Sequence, residues 1–232
     1  MVDLTAEMAG LLTALGPAPE GRARVVQFVS ARKGEGASTV ARAYARLAAA
    51  HARRPVWLVD ADLETQGQMA AVGAHPELFG QLGKASGASP DGSAFFTIQP
   101  PNRTAQGRVT PDHVMFLARP ALGKRLWVTR LRRDSMSYDQ RAHVIPSPDY
   151  WRALARHAEQ IVIDTPSVDR SEAALTLAPY ADDSVIVLAA EETDAALAGK
   201  LRDALEQAGG RVAGLVLNRM RAVSAPQRGR AA

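Results

Sequence analysis

One segment constrains this chain more than any other: VVQFVSARKGEGASTVARAYARL, residues 25–47. An apolar run of strand length passes through a turn holding Gly34 and Gly36, then enters an alanine-rich run. Glycine tolerates the left-handed backbone that a tight turn requires. A helix start behind such a turn presents free N–H groups and the positive end of its dipole, a setting that suits an anion. Strand, glycine turn and helix together are the layout of a phosphate-binding loop. Ser38 and Thr39 put hydroxyls on the first helical turn, where one can cap the helix or reach Mg2+. A G-x-G turn by itself is weak evidence, because any strand–turn–helix unit explains it equally well. Directly after the second glycine, where such loops carry lysine, this chain has Ala37.

The rest of the chain repeats the strand–helix rhythm. Apolar runs lie at 25–29, 56–60, 125–131, 160–164, 184–188 and 212–218, with a weaker one at 113–118. Most are continuous rather than alternating, as in parallel strands covered on both faces. Helices are expected at 38–52, at 147–158 behind Ser147-Pro148, and at 193–208 from Thr193-Asp194 to the stop at Gly209-Gly210. Leu4, Met8, Leu11, Leu12 and Leu15 fall at the spacing of a short amphipathic helix. The fold class that follows is α/β, a doubly wound, mostly parallel sheet flanked by helices, with ligands at the carboxyl ends of its strands. Residues 79–112, rich in Gly, Ser and Pro, interrupt the pattern. They read as an insertion in one domain spanning 1–232, with a flexible basic tail at 220–232.

Composition narrows the chemistry. At 232 residues the chain suits one large domain, and the absence of cysteine excludes disulfides and thiolate catalysis. No apolar run reaches the ~20 residues of a membrane helix, and the N-terminus lacks the pattern of a signal peptide. A cytoplasmic protein without direct membrane insertion is expected. The formal charge of +4 is modest, but basic residues cluster at 119–133 and in the tail. No aromatic residues interleave with them, so they read as solvated surface rather than a nucleic-acid interface, and Trp127 reads as packed. His51, His75, His113, His143 and His157 show no metal-ligand spacing.

Two further runs end on acids. VWLVDAD places Asp60 and Asp62, and QIVIDTP places Asp164, at the carboxyl ends of strands. Carboxylates there face a phosphate loop and are suited to hold Mg2+ or to orient an attacking oxygen; one alone reads as a helix cap, three in this order as a site.

SARKGEGAST, RPVWLVDADLE, EQIVIDTPSV and GRVAGLVLNRM together resemble the deviant-Walker P-loop superfamily of the ParA and MinD type. Within it the chain is most similar to the bacterial tyrosine-kinase-like (BY-kinase) proteins of capsule and exopolysaccharide synthesis. The resemblance covers 24–62 and 147–219 well and is loose between. It implies ATP and Mg2+ as ligands. Arg32, Lys33, Gly34, Glu35, Gly36, Ala37, Ser38 and Thr39 would form the nucleotide loop, with Asn218 near the adenine. Asp60 and Asp62 would form Walker A′, Asp164 Walker B, and Ser38, Asp60 and Asp164 the metal set. It also implies a partner, the cytoplasmic end of an inner-membrane polysaccharide co-polymerase, and raises self-association into a homo-oligomer.

Three departures qualify this. The family's loop resembles G-x-G-K-S-T; without the lysine one charge-assisted contact of ~1.5–3 kcal/mol is lost, about 10- to 150-fold in affinity. Arg32 or Lys33 would have to substitute from the other side of the loop. The C-terminal tyrosine cluster of such kinases is missing: Tyr44, Tyr138, Tyr150 and Tyr180 all precede the last fifty residues. The ring-forming motif resembles E-x-x-R-x-x-R, whereas this chain has Glu7, Gly10 and Thr13 at those places. The expectation is a BY-kinase-like regulator with a degenerate ATP site. The alternatives are an active partitioning or positioning ATPase and, further off, an NAD-dependent oxidoreductase using Asp60 as its ribose ligand.

Overall fold

The computed structural model describes residues 3–190 and 194–220. Its strands are β1 (Arg24–Ser30), β2 (Val56–Asp60), β3 (Ser86–Gly87), β4 (Phe96–Gln99), β5 (Phe116–Ala121), β6 (Leu126–Leu131), β7 (Arg141–Val144), β8 (Gln160–Asp164), β9 (Asp183–Ala189) and β10 (Val212–Asn218). The helices are α1 (Thr5–Leu15), α2 (Ala37–His51), α3 (Gln68–Gly73), α4 (Pro76–Phe79), α5 (Pro148–Ala155), α6 (Ala173–Leu177) and α7 (Ala195–Gln207). Eight strands make one sheet in the order β10-β9-β1-β8-β2-β6-β5-β3, and β4 and β7 form a separate antiparallel pair. Pairing is parallel from β10 to β6 and antiparallel across β6–β5 and β5–β3.

Burial explains the unbroken apolar runs. Every residue of β1, β2 and β9 is buried, because helices cover both faces of the sheet centre. Helix α2 lies on one face through Val40, Ala41, Tyr44, Ala45, Ala48 and Ala49, its small side chains allowing close approach. Tyr44 packs on Phe28 with ring centroids 5.3 Å apart and donates to Gln160 Oε1 at 2.9 Å. Helix α1 seats Met8 in the same core. Its C-terminal end is held by Arg24, whose guanidinium donates to the carbonyls of Leu15 (2.6 Å), Gly16 (2.7 Å) and Pro17 (2.7 Å). That guanidinium also lies 3.6 Å from the fully buried Asp183 carboxylate.

Some expectations need adjustment. The 113–118 run is split: residues 112–115 form a 3-10 turn and the strand starts at Phe116. The 79–112 segment supplies β3, β4 and the buried residues Phe79, Phe95, Phe96 and Ile98. Phe95 sits at the centre of an aromatic cluster, 5.0–5.3 Å from the rings of Phe116, Tyr150 and Trp151. Ser147 makes no side-chain cap bond, although Pro148 opens α5 as read. Asp194 caps α7 through the Ala196 N–H at 2.9 Å; Thr193 and the tail beyond residue 220 lie outside the described residues. Trp127 is packed, stacked on Trp57 at 5.5 Å. No helix among the described residues is long and apolar enough to cross a membrane.

Candidate functional site

The loop between β1 and α2 is fixed by contacts that sequence spacing cannot show. Gly34 and Gly36 hold φ of +94° and +96°, which only glycine adopts cheaply. At Gly36 a side chain is also excluded sterically: a Cβ would stand 2.0 Å from Asn218 Nδ2. Asn218, at the end of β10, donates to the Glu35 carbonyl at 2.9 Å, tying the sheet edge to the loop. The Glu35 side chain is buried and accepts from the Arg32 N–H at 2.8 Å. The Lys33 N–H donates to Asp169 Oδ2 at 3.2 Å. Arg32, Lys33, Gly34 and Ser38 are exposed, and Thr39 is half-buried. Ala37 is buried at the first turn of α2. The loop borders a cleft of about 350 Å³ whose other walls include Asp62, Thr165, Ser167, Arg170 and Arg219.

Asp60 and Asp164 are direct register partners on β2 and β8, side by side at the carboxyl ends. Both are at most 2% exposed. Asp60 has both oxygens engaged by backbone: Oδ2 accepts from Gln68 N at 2.9 Å and Oδ1 from Asp62 N at 3.2 Å. Asp164 Oδ2 accepts from Gln68 Nε2 at 2.6 Å, while its Oδ1 is buried without a partner and the Ser38 hydroxyl lies beside the carboxyl. Burial raises Asp164 to about 6, against the opposing pull of Gln68 and Ser38. Burial, then the neighbouring Asp164 charge, drives Asp60 well above the ordinary carboxylate range.

Gln68 joins these groups. Besides Asp164 its amide donates to the Ser38 carbonyl at 2.9 Å, and its Oε1 accepts from Arg42 Nη1 at 2.9 Å. Burial lowers the Arg42 pKa, with the Asp164 and Asp60 charges opposing it. Asp62 differs from its two neighbours. Burial pushes it up, but bonds from Arg170 Nη1 (2.8 Å) and the Thr65 N–H (2.9 Å) outweigh that and hold it below the usual range. It is therefore the ionised acid facing the cleft.

The structure thus places Lys33, Gly34, Gly36, Ala37, Ser38, Thr39 and Asp62 around one cleft, with Asn218 bonded to the loop backbone and Asp60 and Asp164 buried at the neighbouring strand ends. Asp60, expected as a metal ligand, has one backbone N–H on each oxygen. Gln68, Arg42 and Arg170 were not read from the sequence. A glutamine eight residues past a strand-end acid carries no signal; Arg170, six residues past Asp164, was visible only as a cation in the loop after β8. Among the described residues no three His, Cys, Asp or Glu side chains converge as a metal cage. Mg2+ binds readily through one or two carboxylates plus phosphate oxygens. The unpartnered Asp164 Oδ1 beside the Ser38 hydroxyl is a hard-oxygen pair that fits it.

Strand order separates the ligand classes. In the dinucleotide fold the first two strands are neighbours; here β8 lies between β1 and β2. That order is not the one of the dinucleotide fold on which the oxidoreductase alternative rested. No protein-family model and no curated protein matches the sequence. Solved structures do match. The kinase domain of VpsO has 18% identity over 94% of this chain and 93% of that one, with a TM-score of 0.54. The kinase domain of the Escherichia coli tyrosine kinase ETK has 16% identity over 95% and 75%, with a TM-score of 0.54. The chimerical protein CapA2B2 has 19% identity over 94% and 86%, with a TM-score of 0.55. The chain has the fold of these kinase domains, a mostly parallel sheet flanked by helices.

Proposed function

We propose that this protein is a BY-kinase-like regulator of exopolysaccharide synthesis or export whose ATP site is degenerate. In this reading it works at the inner face of the membrane by docking on an inner-membrane polysaccharide co-polymerase. The observation that carries the proposal is Ala37: a buried methyl follows Gly36 in a loop that otherwise keeps its glycine geometry. The phosphate cradle persists while the cation that would meet the β- and γ-phosphates is gone. That loss weakens binding, and it weakens phosphoryl transfer further, since the lysine also meets charge developing in the transition state.

The loop N–H groups and the start of α2 would hold phosphate oxygens. Ser38 and the free oxygen of Asp164 would hold Mg2+, whose role when bound is to neutralise phosphate charge. Asp62, ionised, would receive a proton only from a hydroxyl that displaced Arg170. Tyrosine supply also argues for regulation: Tyr44 and Tyr150 are fully buried, whereas Tyr138 is 96% exposed.

Calorimetry with Mg-ATP tests the proposal on the wild type and on Ala37→Lys. Weak or absent binding by the wild type, tightened at least 10-fold by lysine, is expected. Micromolar binding with robust turnover by the wild type would refute a degenerate site.

A further inference from the structure

A second cleft, of about 470 Å³, adjoins the first across the Arg170–Asp62 pair. Three arginines from separate segments line it: Arg133 after β6, Arg141 on β7, and Arg170 after β8. Two of them are oriented by backbone carbonyls rather than carboxylates. Arg133 Nη1 donates to Leu63 O (3.2 Å) and Glu64 O (3.0 Å), and Arg141 Nη1 donates to Tyr138 O (2.7 Å) and Gln140 O (2.9 Å). A carbonyl fixes a guanidinium without neutralising it, so both forks are preorganised and keep their charge. Among the described residues no other terminal nitrogen of either fork has a bond. Arg170 closes the third side, already shared with Asp62, Thr65 and, at 3.5 Å, Glu64.

We propose that this cleft is a second ligand site, built for the phosphomonoester of a small polyhydroxyl compound. Three guanidiniums approaching from different elements suit a tetrahedral dianion better than a planar carboxylate, which one fork already satisfies. The remaining polar lining, Glu64, His143, Ser171, Glu172 and Thr176, offers partners for hydroxyl groups. Its volume is that of a small-molecule pocket. Part of its wall comes from β7 and the turn after β6, which the nucleotide loop does not require. The site therefore stands whether or not ATP binds. Because Arg170 borders both clefts, an anion here draws on the same guanidinium that holds Asp62.

The test is calorimetry on the full chain with glucose 1-phosphate, inorganic phosphate and glucose as separate probes. Glucose 1-phosphate is expected to bind more tightly than phosphate, and glucose not at all. Arg141→Ala and Arg133→Ala should each lose about 10-fold or more in affinity while melting near the wild-type temperature. Arg141→Lys, which keeps the charge but not the fork, should recover part of the loss. No binding of glucose 1-phosphate at millimolar concentration, or equal binding of phosphate alone, would overturn the proposal. So would binding that survives in folded Arg141→Ala and disappears in Ser38→Ala, since that would place the anion in the nucleotide loop.

Discussion

Replacing Asp164 by Asn gives the sharpest test of the buried acid pair. Asp164 rises from 3.8 to about 6 because it is buried, with the Asp62 charge adding to the rise. An acid whose folded pKa exceeds its unfolded value holds an extra proton in the fold. The native state is therefore favoured below the unfolded pKa and loses that advantage as pH climbs through about 6. A rise from 3.8 to about 6 corresponds to about 3 kcal/mol at neutral pH. Asparagine removes this cost. Its carbonyl still accepts from Gln68, and its amide faces the side where Asp164 Oδ1 has no partner and the Ser38 hydroxyl lies. In metal-free buffer the variant should match the wild type near pH 4 and exceed it by about 3 kcal/mol at pH 7.5. For a chain of this length that is about 6–12 °C in Tm. Thermal melts across that window are the assay. Millimolar Mg2+ should raise the wild-type Tm and leave the variant unmoved. A stability difference that does not change with pH, or a variant that falls behind the wild type as pH rises, would refute the reasoning.

Three other perturbations test separate parts of the fold. Arg24→Met strips three carbonyls of their donor and leaves Asp183 buried with Arg211 alone; a loss of about 3–5 kcal/mol in urea unfolding is expected, partly recovered by adding Asp183→Asn. Gly36→Ala meets both a φ of +96° and the Asn218 amide, so about 1–3 kcal/mol should be lost, and Asn218→Ala should restore only the steric share. Phe95→Ala should cost about 3–5 kcal/mol, as for any large core aromatic; a change near zero would mean that the 79–112 segment is not part of the core.

The central sheet was legible because its physics is local. Strands buried on both faces need continuous apolar runs, and the five such runs from 25 to 188 other than the weak one all became strands. The 79–112 segment was not legible, because its core contribution comes from isolated anchors. Phe79, Phe95 and Phe96 sit among glycines and serines with no period, and their value depends on Tyr150 and Trp151, far along the chain. The basic cluster at 119–133 shows the same limit. Composition gave it a charge, but Arg119 donates to the carbonyls of Gly83 and Leu82, and Arg133 to those of Leu63 and Glu64. Only a fold decides whether an arginine faces water or holds a loop.

At the site, the sequence named the acids but not their states. Asp60, Asp62 and Asp164 read as equals at strand ends; the fold makes two of them high-pKa, buried partners and the third an ionised wall of the cleft. What divides them is burial on one side, which lifts Asp60 and Asp164 despite the bonds from Gln68, and Arg170 on the other, which holds Asp62 down; neither Gln68 nor Arg170 stands at a motif position. Gln68 has a consequence for the missing lysine. It lies between Ser38 and Asp164 and is bonded to Arg42, so that cation is tied to the buried acids behind the loop. Such an arrangement stabilises buried carboxylates without contributing to phosphate binding. Restoring lysine at position 37 therefore adds a cation at the start of α2, beside the Lys33, Arg170 and Arg219 that already border the cleft, whereas replacing Gln68 by Leu would remove a donor from both Asp164 and the Ser38 carbonyl.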